Sequence, residues 1–374
     1  MLHSLDIKNY RNLKSLQIGS LGRVNLITGK NNTGKSSLLE AVAIYAAKGD
    51  LGLIYQFLEE RGEAFRQRNT STNPTETNIK ILSSLFNNRV IGFDDENIIS
   101  IGSTTNTLFG NSLSTEDYVS LRFVKYLDED EQGAFIGKKR RLLQNESEIE
   151  DYKIGLDIKS QESSVLLPLN ANLDNYRVSR FGMGRVKGND NIQIVRTRNI
   201  NKGINGNLFD NITLTNKEQY VVDALKIIEP LTQRIAFVEE TPRERNAVIL
   251  LSNSHQVLPL QSMGDGINRI LTIILAMVNA DNGYLLIDEF ENGLHYSVHE
   301  KLWEIVFHLS EQLNIQVFAT THSNDCIGGF ESVLNKQDDK SDGKLIRLEN
   351  RNGKVVEFDA EELKIAKSQK IEIR

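Results

Sequence analysis

Residues Gly29-Lys30-Asn31-Asn32-Thr33-Gly34-Lys35-Ser36 fit the pattern G-x-x-x-x-G-K-S/T without exception. That spacing is suited to binding phosphate. The glycines permit a tight loop whose backbone N–H groups turn toward a β-phosphate, and Lys35 reaches the β- and γ-phosphates. The Ser36 hydroxyl, with Ser37 behind it, is placed to ligate magnesium. The expected ligands are ATP and Mg2+, although no residue in the motif separates adenine from guanine. Downstream, Tyr284-Leu285-Leu286-Ile287 is followed by Asp288 and Glu289, as a strand ending at the lip of a nucleotide crevice requires. Asp288 would hold the magnesium through water and Glu289 would polarise the attacking water. In the run Leu260-Gln261-Ser262-Met263-Gly264-Asp265-Gly266, a serine hydroxyl and bare glycine N–H groups precede a helix and can form an anion site. Phe318-Ala319-Thr320-Thr321-His322-Ser323 ends another apolar run with a histidine able to hydrogen-bond a γ-phosphate.

Elements of defined type must position these groups. Alternation at Leu5 and Ile7, Leu16 and Ile18, and Val24 and Leu26 predicts strands and hairpins over the first thirty residues. A helix from Lys35 follows, with Leu38, Leu39, Val42 and Ala46 on one face. From Ile235 onward, strands and helices alternate, and runs apolar on both faces point to a helix-covered parallel sheet. Between these regions, alternating runs at 98–101, 118–126, 152–158 and 164–169 read as antiparallel strands, and the Asn- and Gly-rich stretch 189–216 reads as loop. The expected fold is α/β: a mixed sheet flanked by helices, built from residues 1–50 and 235–374. Residues 51–234 are expected to form an inserted α+β arm or lid that contacts partners.

The order P-loop, Ser262–Asp265 loop, Asp288-Glu289 and His322 resembles that of ABC-type ATPases. Their signature is L-S-G-G-Q, matched here at Ser262 and Gly264, with Asp265 in place of Gln or Glu and Gln261 intervening. Glu291-Asn292-Gly293-Leu294-His295 and the opening Lys8-Asn9-Tyr10-Arg11-Asn12 narrow the resemblance to ATPases related to OLD proteins, whose head design is shared with SMC and RecF proteins. The resemblance implies two ATP molecules sandwiched head to tail between two copies of the chain, each held by the P-loop of one copy and Ser262, Gly264 and Asp265 of the other. It makes His322 a γ-phosphate switch, and Lys35, Asp288, Glu289 and His322 the catalytic set. It places Asn9 and Arg11 near the phosphates, an exposed hairpin being the competing reading. It makes residues 291–295 a subunit-contact loop. His295 and His299, four apart, have a spacing that can also bind a metal.

ATPases of this kind commonly serve bacterial antiphage systems, so the implied function is a sensor or regulatory ATPase controlling an effector. OLD nucleases carry a C-terminal Toprim domain, and the residues from 323 to 374 are too few for one, so a nuclease or toxin effector is expected to be a separate chain. DNA repair or maintenance, as in RecF-like clamps, and an ATP-bound scaffold with little turnover are the alternatives.

A formal net charge of -6 argues against a protein that coats nucleic acid with its whole surface. Yet Tyr176–Gly203 carries Arg177, Arg180, Arg185, Lys187, Arg196, Arg198 and Lys202 against Asp190 alone, and 138–141 is a second basic run. Such concentration fits contact with nucleic acid or an acidic partner, or equally a solvated loop. One cysteine, Cys326, excludes an internal disulfide, no apolar leader opens the sequence, and runs such as Ile270–Val278 are about half a membrane span. A cytoplasmic protein without membrane segments is expected.

Overall fold

Strands that are apolar on both faces need cover on both, and Val24–Gly29 (β3), Tyr284–Ile287 (β13) and Gln316–Thr320 (β14) are buried at every position. The structure, a computed structural model, describes residues 1–64, 73–107, 110–129, 139–143, 151–170, 191–197, 202–241, 244–253, 256–264, 266–336, 342–349, 354–369 and 373. In it these strands form a six-stranded sheet in the order β16-β15-β3-β14-β13-β9, where β9 is Ile192–Val195, β15 is Gly343–Leu348 and β16 is Val355–Phe358. All pairs from β15 to β9 are parallel and only β16 runs antiparallel. The carboxyl ends of β3, β14, β13 and β9 therefore share one edge. Gly29, Thr320, Ile287 and Val195 deliver their following residues to the same place.

Side chains alternate across this sheet. Ile27, Leu286, Phe318 and Ile346 enter one core, while Leu26, Leu285, Ile287, Val317 and Ala319 enter the other. The second core is closed by helices: α5 (Lys217–Ile228), α6 (Ile267–Asn279), α7 (His299–Gln312) and α8 (Asn324–Lys336), with α9 (Ala360–Ser368) beside them. On the first face lies α1 (Lys35–Ala46), and beyond it a seven-stranded antiparallel sheet. Its order is β2 (Leu13–Ile18), β1 (Leu5–Tyr10), β4 (Ile99–Thr107), β5 (Gly110–Glu129), β7 (Lys153–Lys159) and β8 (Ser164–Pro168), with β6 (Lys139–Leu142) paired to β5. Sandwiched between two sheets, α1 is buried at every residue except Ser36, so the one-sided helix expected from the sequence is covered all round. Leu51–Glu60 (α2), started by the Asp50 side chain accepting from the Leu53 amide at 2.9 Å, and Pro74–Leu82 (α3) pack against this layer.

The architecture is α/β with a mixed sheet flanked by helices, as expected, but the division of the chain follows other lines. Strands β1 and β2, from the expected core, pair into the sheet formed by β4 to β8 of the expected insertion. Strand β9, from the expected insertion, is an edge of the parallel sheet. The stretch 189–216 is not simply loop, since it contains β9 and the helix Lys202–Asp210 (α4). Pairing of Ile192 to Val195 with Tyr284 to Ile287 overrides the local Asn and Gly composition. Strands Thr232–Thr241 (β10), Glu244–Leu251 (β11) and Val257–Pro259 (β12) form their own antiparallel sheet and, among the described residues, join neither of the others. Among the described residues no helix is long and apolar enough to cross a membrane.

Candidate nucleotide site

Beyond β3 the chain turns through Gly29 at φ +139° and reaches α1 through Gly34 at φ +109°. Both values lie where a β-carbon is strained. Space is closed as well: a β-carbon on Gly29 would sit 2.5 Å from the Leu348 carbonyl oxygen, and one on Gly34 would sit 2.6 Å from Leu13 Cδ2. The Lys35 ammonium lies across the loop, donating to the carbonyls of Gly29 at 2.7 Å and Lys30 at 3.0 Å. The Thr33 hydroxyl donates to the Lys30 carbonyl at 2.9 Å, while Lys30, Asn31 and Asn32 are exposed. Ser36 and Ser37 follow in the first turn of α1.

At the same sheet edge, Asp288 leaves β13. Its Oδ1 accepts from the Thr320 hydroxyl at 2.8 Å and from the Ser36 hydroxyl at 3.4 Å. The Thr320 oxygen also accepts from the Glu289 amide at 2.9 Å, so one hydroxyl fixes both acidic residues. Glu289 has φ +49°, uncommon for a residue with a side chain. The next residue, Phe290, stacks on Trp303 of α7 with centroids 3.9 Å apart, anchoring the turn in the core. Thr197, just past β9, places its hydroxyl 3.5 Å from Asp288 Oδ2. The Glu291 carboxylate accepts from the Thr321 hydroxyl and the His322 amide, both at 2.8 Å, tying the 291–295 loop to the end of β14.

Two clefts meet at Ser36. One of about 470 Å3 is lined by Asn31, Asn32, Gly34, Lys35, Ser36, Ser37, Arg11 and His322. The other, of about 940 Å3, is lined by Ser36, Thr197, Asp288 and Glu289. The predicted P-loop, acidic pair and histidine are thus brought together in one chain.

Arg11 lines the first cleft at φ +51° and is 8% exposed. Its guanidinium meets Glu40 at 2.7 Å and Glu63 at 2.8 Å, and Arg61 joins Glu40 at 2.8 Å. Burial disfavours the charge on Arg11, but Tyr10, Glu40 and the hydrogen bond to Glu63 outweigh it and hold the guanidinium protonated. Burial together with Glu40 raises the Tyr10 phenol, which donates to Glu40 Oε2 at 3.0 Å. Asn9 does not share the cleft. Its amide donates to the carbonyls of Glu96 at 2.7 Å and Ile98 at 3.1 Å, because Asn9 and Arg11 leave the strand end in different directions around buried Tyr10.

Ser262 and Gly264 are exposed and line neither cleft of their own chain. The Ser262 hydroxyl donates to the Pro259 carbonyl at 2.7 Å, Gly264 has φ +114° with open space beyond it, and Gly266 packs on Gly293. Asp265 lies outside the described residues. The pair His295 and His299 is split: His295 is exposed, with Nδ1 2.8 Å from Ser297 Oγ, and His299 is buried. Within the basic stretch Tyr176–Gly203, residues 191–197, 202 and 203 are described. Arg196 is committed inward, ion-paired with Glu60 and 5.0 Å from the Phe57 ring centroid.

Thr320, Thr197 and Arg269 escaped the sequence reading. Thr320 sits in the run that pointed to His322, and the apolar residues before it were a usable signal. Thr197 follows a strand hidden by Asn-rich sequence, and Arg269 resembles any basic helix residue.

Residues 24–325 match the family model described as "AAA domain, putative AbiEii toxin, Type IV TA system". A Helicobacter pylori protein named ATP/GTP phosphatase is 24% identical over 382 aligned residues, which cover 95% of this chain and 94% of that protein. The DNA replication and repair protein RecF of Rickettsia prowazekii is 41% identical over 44 residues, 12% of each chain. Of solved structures, an SMC head bound to the C-terminal winged-helix domain of ScpA aligns with a TM-score of 0.47 and 14% identity, covering 99% of both chains. The SMC head domain from Thermotoga maritima aligns at 0.42 and 11%, covering 96% of this chain and 99% of that one.

Proposed function

The chain belongs to the AAA-domain family whose model its residues 24–325 match, and on that premise we propose that it is a magnesium-dependent ATPase working as an ATP-gated homodimer. The observation that supports this most directly is the meeting of Ser36 and Asp288, 3.4 Å apart, beside Lys35 and Glu289 at a single sheet edge. A hydroxyl and a carboxylate are hard oxygen donors and fit Mg2+, which takes few protein ligands alongside phosphates and water. Ser36 and Asp288 would hold the ion, which would supply charge neutralisation for the phosphates.

The protein's own groups account for the rest. Lys35 leaves the loop carbonyls for the phosphates, and the P-loop amides hold the β-phosphate. Glu289 orients a water and accepts its proton as the water oxygen attacks the γ-phosphorus. The bond from that phosphorus to the bridging oxygen breaks and ADP departs. His322 contacts the γ-phosphate from the end of β14. Ser262 and Gly264, exposed on one copy, would reach the phosphates bound to the other copy. Phosphate release from ATP by the purified protein tests the reading. Lys35→Ala should abolish it, EDTA should stop it, and added Mg2+ should restore it. Equal turnover with Lys35→Ala would defeat the proposal.

We further propose that the ATPase is the sensing or regulatory component of an antiphage system and controls a separate nuclease or toxin. The family description, which names a toxin and a toxin–antitoxin system, supports this together with the resemblance to OLD-related ATPases. Plaque counts on a host carrying the gene and its neighbours should fall and recover with Lys35→Ala. Unchanged plaque counts would count against the defence role while leaving the ATPase reading intact. The short RecF match favours a second reading, a DNA-maintenance ATPase, which predicts turnover stimulated by DNA.

A further inference from the structure

Arg269 is the third residue of α6, the helix that follows the Ser262–Gly266 loop, and it is 2% exposed. A buried guanidinium is ordinarily matched by a carboxylate, yet among the described residues the hydrogen-bond acceptors of this one are backbone carbonyls. Nη1 donates to the Arg196 carbonyl at 2.7 Å, and Nη2 to the carbonyls of Asp288 at 3.0 Å and Glu289 at 3.2 Å. These carbonyls belong to the carboxyl ends of two neighbouring parallel strands, β9 and β13. Glu289 is consequently held at both its main-chain groups, its amide by the Thr320 hydroxyl at 2.9 Å and its carbonyl by Arg269. It is held in the left-handed conformation, φ +49°, that a side chain resists. At the start of the same helix, Gly266 packs on the 291–295 loop, where a β-carbon would come 3.1 Å from the Gly293 carbonyl oxygen.

We infer that Arg269 is a positioning residue for the proposed hydrolysis, linking the Ser262–Gly266 loop through α6 to the turn that aims Glu289. The inference rests on the ATPase reading of this site. A displacement of the loop would move the α6 terminus, and the rigid fork of the guanidinium carries that displacement to Asp288, Glu289 and the end of β9. Loop position and carboxylate geometry then change together. Lysine keeps the charge but, with a single nitrogen, cannot span both strand ends as the guanidinium does.

The test is steady-state ATP turnover by Arg269→Lys and Arg269→Met, with rates normalised to the number of nucleotide-binding sites so that any unfolded fraction drops out. The expected result is KM within about twofold of wild type and kcat lowered about tenfold to a hundredfold, the scale of a misplaced catalytic group. Lysine should retain more activity than methionine. Unchanged kcat in both variants, or a rise in KM with kcat preserved, overturns the inference. Lys35→Ala serves as the reference: if it still hydrolyses ATP, the site reading itself has failed, whereas its inactivity beside unchanged kcat in both Arg269 variants sinks the inference alone. Hydrogen exchange on wild-type protein gives a second measure that does not depend on a variant folding. With Mg2+ and a non-hydrolysable ATP analogue, peptides covering 260–268 and 286–292 should slow together, and protection of one without the other contradicts the coupling.

Discussion

Replacing Thr320 with valine exchanges its hydroxyl for a methyl group of similar size. That oxygen donates to Asp288 Oδ1 at 2.8 Å and accepts from the Glu289 amide at 2.9 Å. Thr320 is fully buried, so water does not replace the lost acceptor, and an unsatisfied buried N–H costs about 1–3 kcal/mol. Asp288 is only partly buried and still has Ser36 within reach, so most of the loss falls on Glu289. The sum for Thr320→Val is about 2 kcal/mol of folding stability. Thr320→Ser keeps the hydroxyl and loses one buried methyl group, which costs about 1 kcal/mol. Stability alone separates these variants poorly, but turnover should separate them clearly. Without its anchor Glu289 relaxes from φ +49°, and kcat for the valine variant should fall about tenfold to a hundredfold. The serine variant should remain within about threefold of wild type, since the hydroxyl that holds Glu289 is retained. Urea unfolding followed by phosphate-release kinetics on both variants is the assay. Equal kcat in the two would refute the argument that this hydroxyl positions the acidic pair.

Three further outcomes follow from other parts of the chain. Gly29→Ala places a β-carbon 2.5 Å from the Leu348 carbonyl oxygen at φ +139°, so urea denaturation should show a loss of about 3 kcal/mol, and nucleotide binding should weaken with it. Burial lowers the His299 pKa from its ordinary 6.5, against the opposing pull of Glu291 and Asp325. The uncharged ring therefore contributes stability in full above pH 6.5, and that contribution is lost as pH falls through the lowered folded value. His299→Gln should flatten the corresponding fall in urea midpoint. Burial pushes the Cys326 thiol up to about 12, so iodoacetamide at pH 8 should leave the native protein unmodified and label it only after unfolding.

What the sequence disclosed was chemistry carried by contiguous residues. Gly29 to Ser36 can be read directly because loop, cation and hydroxyl follow one another on a single strand–turn–helix, and the same holds for Asp288-Glu289 after four apolar residues. The pairing of β9, β13 and β14 was not legible in advance. It brings Thr197 and Thr320 to Asp288 across sequence separations of 91 and 32 residues, and no local pattern encodes that contact. Helix α1 looked amphipathic because its second partner, the antiparallel sheet, is assembled largely from residues 99–168. The family resemblance places Asn9 with Arg11 near the phosphates, yet the backbone at Tyr10 sends the two side chains to different carbonyls and carboxylates. The stretch 189–216 was masked by its composition, although alternate Ile192 and Ile194 carried the period of a strand.

Glu289, at the edge shared with Lys35 and Ser36, is the group proposed to drive hydrolysis of bound ATP. Glu289→Gln keeps the shape and removes the base. Single-turnover phosphate release measured alongside nucleotide binding and sedimentation should show Mg·ATP bound as in wild type, hydrolysis slowed about a hundredfold or more, and a dimer that persists with the nucleotide trapped. Hydrolysis at the wild-type rate, or a nucleotide-loaded variant that sediments as a monomer, would rule out Glu289 as the base of an ATP-gated dimer.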